Sequence, residues 1–113
     1  MTHWEKFTQE NVNLVPEGIL GVFQLARGEG NIAFVGRADQ DLKSSLFSHL
    51  SEGYSHFQWV QLPWVKETFE MHCRLYHHAG GKRRLDNLDH PYPPEGRIQA
   101  CTVSTQAPSL CEI

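Results

Sequence analysis

Basic residues are too few for a chain that grips nucleic acid over a broad surface. Ten Lys and Arg stand against thirteen Asp and Glu, a formal net charge of -3 with histidines neutral. Tight binding through phosphates calls for an excess of cations, so only a local basic patch is open to this chain. Long apolar runs are missing as well. No stretch approaches the roughly 20 residues that cross a bilayer, and no membrane partner is expected. The first residues, Met1-Thr2-His3-Trp4-Glu5, have neither the basic start nor the apolar core of a secretory signal. Cysteine is sparse and odd in number, at Cys73, Cys101 and Cys111. Three do not make a disulfide framework, and a reducing cytoplasm is the expected compartment. There is no internal repeat and no low-complexity block.

What remains suits one domain. A chain of 113 residues that is 40% hydrophobic can bury a modest core. The expected division is a single domain over residues 1–98, N-terminal segment included, and an extended tail over 99–113. Pro91, Pro93 and Pro94 impose an extended path ahead of that tail.

Local patterns give the element order. Thr8 is placed to cap a short helical turn through Asn13, which Pro16 stops. Trp4, Phe7, Val12 and Leu14 are expected to pack against a sheet. Leu20, Val22 and Phe23 precede the turn Arg27-Gly28-Glu29-Gly30-Asn31, and Ile32, Phe34 and Val35 follow it. Glycines supply the positive φ such a reversal needs, so residues 19–36 read as a hairpin. Leu42, Leu46, His49 and Leu50 repeat at helical spacing behind the caps of Asp39-Gln40-Asp41, predicting a helix over 41–51. His56 to Leu62 alternates as a third strand, ended by Pro63. Trp64 to Ala79 reads as a longer helix with Val65, Phe69, His72 or Cys73, and Tyr76 on one stripe, closed by Gly80-Gly81. The fold class is α+β, with helices flanking a small sheet.

Gly21-Val22-Phe23, then Phe34-Val35-Gly36, then a helix with a histidine near its end, a strand, a longer helix and a following Asn87 resemble the GIY-YIG nuclease superfamily over residues 18–90. The two triplets stand where that family has Gly-Ile-Tyr and Tyr-Ile-Gly. The resemblance implies a three-stranded, largely antiparallel sheet. It also implies metal-assisted phosphodiester hydrolysis, in which motif tyrosines line the site, a helix arginine contacts the scissile phosphate and a later glutamate holds a divalent metal.

The sequence departs from the family at each of those positions. Phe23 and Phe34 keep the ring and lose the hydroxyl. The helix arginine falls at Ser44 or Ser45, and the metal-binding glutamate at His72. His49 matches the histidine at the end of the first helix, and Asn87 matches the late asparagine. Arg37 and Glu70 are nearby groups that a relocated site would use. Each residue also has a plainer reading: Phe23 and Phe34 as core, Ser44 and Ser45 as helix surface, His49 as a helix-end residue and Arg37 as a solvated strand end.

Two further clusters stand out. Lys82, Arg83 and Arg84 are the best phosphate candidates by charge, and Trp59 and Trp64 would offer stacking surfaces. Cys73 and His77, four apart on one helix face, suit two zinc ligands, with His90 and Cys101 as further donors. There is no Cys-x-x-Cys pair, and Cys73 also fits as a small core residue. The leading expectation is a GIY-YIG-like domain with a degenerate nuclease site, acting as a binding or interaction module without a cofactor. Its partner would be a nucleic acid bound weakly, or a protein. The alternatives are an active nuclease using Mg or Mn with relocated groups, and a small His/Cys metal-binding structural protein.

Overall fold

The computed structural model describes residues 4–28, 30–81 and 84–87. Four strands and three helices form an α+β layer structure: β1 (Glu5–Lys6), α1 (Gln9–Asn13), β2 (Gly21–Ala26), β3 (Ile32–Ala38), α2 (Leu42–Phe47), β4 (His56–Gln61) and α3 (Val65–His78). The sheet runs in the order β1-β4-β2-β3, and all its pairings are antiparallel.

The expected three-stranded sheet is therefore corrected to four strands. The added strand pairs Glu5 with Phe57 and Lys6 with His56. Both its residues are exposed, so it leaves no apolar alternation to read. It forms because the outer edge of β4 offers backbone partners.

β2 is central, and every residue in it is buried. Alternation sends Phe23 and Leu25 to one face of the sheet and Val22 and Gln24 to the other. On the first face they meet Leu42 and Leu46 of α2, Val12 of α1 and Phe57. On the second, Val35 packs with Tyr76 of α3 and Leu85. Gln24 is buried there, and the Gln58 side-chain amide donates to its Oε1 at 2.6 Å. This pair explains why neither face of β4 reads as purely polar or apolar.

Thr8 caps α1 as expected, accepting from the Asn11 N–H at 3.2 Å. Phe7 and Val12 are buried, but Leu14 is 79% exposed and Val15 takes the core position instead. The helix ends at Asn13, so the chain has already left the 3.6-residue period by Leu14.

The first long helix is shorter than its periodicity suggests. α2 stops at Phe47, and Leu50–Glu52 is a separate 3-10 turn. The Ser48 hydroxyl donates to the Ser45 carbonyl at 2.6 Å, and the His49 N–H turns to Leu46 three residues back. Such local bonds compete with the α-helical ladder. Asp41 stands at the N-cap but accepts from the Gly18 N–H at 2.9 Å, tying the start of α2 to the approach to β2.

α3 buries Thr68, Phe69, His72, Cys73 and Tyr76, close to the expected stripe with Thr68 in place of Val65. Among the described residues no helix is long and apolar enough to cross a membrane. The expected boundary at residue 98 and the tail beyond it lie outside the described residues.

Candidate functional site

The two motif triplets face each other across the hairpin. Gly21-Val22-Phe23 opens the central strand, and Phe34-Val35-Gly36 lies on the edge strand, with Phe23 opposite Gly36 and Leu25 opposite Phe34. Both glycines are places of close approach. A Cβ on Gly36 would stand 2.3 Å from the tip of the Phe23 ring, and one on Gly21 would stand 2.3 Å from the Val60 carbonyl oxygen.

His49 closes over the two phenylalanines. Its ring centroid lies 5.6 Å from that of Phe23 and 4.8 Å from that of Phe34, and the two phenyl rings stack at 6.2 Å. Its Nδ1 is 2.8 Å from Glu52 Oε1. This arrangement joins Phe23, Phe34 and His49, three positions that the resemblance singles out, and it is apolar except at the imidazole rim. Phe23 is 1% exposed, which leaves no route from its ring to a bulk-water nucleophile.

His72 does not join them. It is buried under α3, on the other side of the sheet, with Nε2 3.1 Å from the Val35 carbonyl oxygen. Asn87 holds the same residue: its Oδ1 accepts from the Val35 N–H at 3.0 Å, and its Nδ2 donates to the Val35 carbonyl at 2.7 Å. The asparagine side chain thus occupies both outward backbone groups of Val35, as a neighbouring strand would. Asp86 continues this contact, its N–H donating to the Ala33 carbonyl at 2.6 Å.

Asp86 is itself clamped. Arg27 forms a hydrogen-bonded ion pair with its Oδ2, and the Tyr54 hydroxyl donates to the same oxygen at 2.8 Å. The Arg27 guanidinium also lies 5.2 Å from the centroid of the Tyr54 ring. The hydrogen bond from Arg27 holds the Asp86 carboxyl below its ordinary pKa. Burial, then the bond to Asp86, push the Tyr54 phenol up to about 12. These groups were not apparent from sequence, because Arg27 and Asp86 are 59 positions apart.

Arg37 and the two serines share a third place. A shallow depression of about 340 Å³ is lined by Arg37, Asp39, Asp41, Ser44 and Ser45, among others. The Arg37 side chain is only 12% exposed. Its guanidinium lies 5.1 Å from the Phe69 ring centroid, and its Nε donates to Asp39 at 3.4 Å. Burial draws its pKa below the ordinary arginine value, with Asp39 opposing. Its Nη1 is buried and has no hydrogen-bond partner among the described residues. Arg37 is thus a partly buried, stacked cation rather than a solvated strand end.

The positions that the family resemblance singles out therefore fall in three places: Phe23, Phe34 and His49 against α2; Ser44 and Ser45 beside Arg37; His72 and Asn87 at the outer edge of β3. Comparison with protein-family models, curated proteins and solved structures gives no match.

The remaining candidates are quickly placed. Glu70 is turned to Lys66, 3.9 Å away along α3. Trp64 is 66% exposed at the N-cap of α3, whereas Trp59 packs against the core. No group of three or more His, Cys, Asp or Glu side chains among the described residues could hold a metal. Cys73 is fully buried on the core-facing stripe of α3. Lys82, Arg83, His90, Cys101 and Cys111 lie outside the described residues, while Arg84 is exposed near the end of α3.

Proposed function

We propose that this chain is a GIY-YIG-like domain whose nuclease site has lost its hydrolytic groups and which acts as a binding or interaction module. One observation carries the reading: the motif positions Phe23 and Phe34 stack beneath His49 and close the place where ionisable tyrosines would stand. The order of elements supports it, with a hairpin, a helix, a strand and a long helix in sequence. Hydrolysis needs a base near the attacking water, a fixed cation on the phosphate and a carboxylate for the metal. Phenylalanine and serine supply none of these, and His72 spends its Nε2 on a backbone carbonyl.

A relocated nuclease site is the second reading, and Arg37 is what favours it. The guanidinium lines the same depression as Ser44 and Ser45, so it brings a cation close to where the helix arginine would be. Its local carboxylate is Asp39, which already engages it. Glu70 would have to leave Lys66 to take part. Incubating the protein with DNA and Mg²⁺ or Mn²⁺ separates the two readings: the degenerate site leaves the substrate intact, and a relocated site cuts it.

A further inference from the structure

We infer a phosphate-binding site between the hairpin turn and the C-terminal end of α3, with Arg84 and His78 as its ligands. The inference rests on the binding-module reading and names what the module would bind. A depression of about 490 Å³ opens there, lined by Gly30, Asn31, Ile32, His78, Ala79 and Arg84. It contains an arginine and a histidine and, among its described lining residues, no carboxylate. Both side chains are exposed, and neither has a hydrogen-bond or ion-pair partner among the described residues. This contrasts with Arg27 and Arg37, each of which is paired to an aspartate.

The backbone seats Arg84 in this position. Gly80 has φ +104°, and a Cβ there would lie 2.6–2.9 Å from the Arg84 stem. The stem therefore passes over bare glycine backbone. The Arg84 and Leu85 N–H groups both return to the Gly81 carbonyl, which fixes where the stem begins. A helix C-terminus disfavours anions through its free carbonyls. Here the Leu75 and His77 carbonyls are already taken, accepting from the Ala79 and Gly80 N–H groups. A guanidinium fork matches phosphate oxygens, and an imidazole adds a second donor. Arg74 lies one helical turn before His78 and is exposed, which adds a further cation on the same side of α3.

The ligand is a phosphate group, carried on a nucleic-acid backbone or on a free monoester. Fluorescence anisotropy at low salt with a short labelled single-stranded oligonucleotide is the first arm. NMR titration with inorganic phosphate is the second. Arg84→Gln should weaken oligonucleotide binding about tenfold and His78→Gln severalfold. Lys43→Gln removes the same charge elsewhere and should stay within about twofold of the unmodified protein. Oligonucleotide binding with that pattern identifies a backbone phosphate. Phosphate-induced shifts at His78 and Arg84 without oligonucleotide binding identify a free monoester. Absence of both overturns the site, as does an equal loss in Lys43→Gln, because binding would then follow net charge alone. Circular dichroism of each variant checks that the fold is kept. Cleavage of the oligonucleotide in Mg²⁺ would overturn the degenerate-nuclease reading and leave the phosphate site standing.

Discussion

The ring of Phe23 lies over Gly36, its direct partner across the hairpin. A Cβ on Gly36 would sit 2.3 Å from the ring tip. The hydrogen in place of a side chain is therefore a packing requirement, and it links the two motif triplets in one contact. Gly36→Ala should destabilise the fold by about 1–3 kcal/mol, the cost of overpacking a closed core. The double variant Gly36→Ala, Phe23→Leu should recover part of that loss. Urea denaturation measures both, and equal stability of the single variant and the unmodified protein would refute the contact.

Asn87 replaces a strand at the edge of the sheet. Its amide bonds both outward groups of Val35, and that two-way pairing requires the carboxamide. Asn87→Ala should cost about 1–2 kcal/mol, the range for a part-buried backbone group losing its partner. Asn87→Asp should fare no better, because the carboxylate accepts from the Val35 N–H but repels the Val35 carbonyl. Hydrogen exchange at the Val35 amide should accelerate in Asn87→Ala, which removes its acceptor. Unchanged protection would show that other groups hold this edge.

The clamp at Asp86 sets two pH responses of opposite sign. The Asp86 carboxyl is held below its ordinary pKa, chiefly by Arg27, so its contribution is present above the unfolded value of 3.8 and fades as pH falls through the lower folded value. Tyr54 is the reverse case. Its folded pKa rises from 10.0 to about 12, so its contribution is complete below 10.0 and is lost as pH climbs through that interval. Thermal melts of Tyr54→Phe should lose the alkaline slope, and melts of Asp86→Asn should lose the acid slope. A Tyr54→Phe variant that retains the full alkaline slope would remove Tyr54 as its cause.

The hairpin and the long helix were legible because their signals are local. Turn glycines between β-rich runs fix the reversal around residue 30, and a five-residue stripe fixes the buried face of α3. β1 was not legible, since Glu5 and Lys6 are both exposed and leave no apolar alternation to read. The break after Phe47 hid in one serine hydroxyl, which periodicity does not register. The candidate site was the least legible part. Phe23, Phe34 and His72 can be counted along the chain, but their division between two faces of the sheet follows from strand alternation and from where α3 packs. Arg37 against Phe69, and Arg27 against Asp86, are tertiary pairs with no local signature.

On the proposed reading, the GIY-YIG-like site does not hydrolyse phosphodiesters. Losing one group of such a unit commonly costs about 10²–10³ in rate, and on that reading the matching positions hold Phe23 and Phe34, Ser44 or Ser45, and His72. The direct measurement is cleavage of single-stranded, duplex and branched DNA by purified protein in Mg²⁺ and in Mn²⁺, with Arg37→Ala and Glu70→Ala run beside it. The account predicts intact DNA in every lane. Metal-dependent cleavage by the unmodified protein that disappears in Arg37→Ala or Glu70→Ala would contradict it, and would place a working active site at the relocated groups.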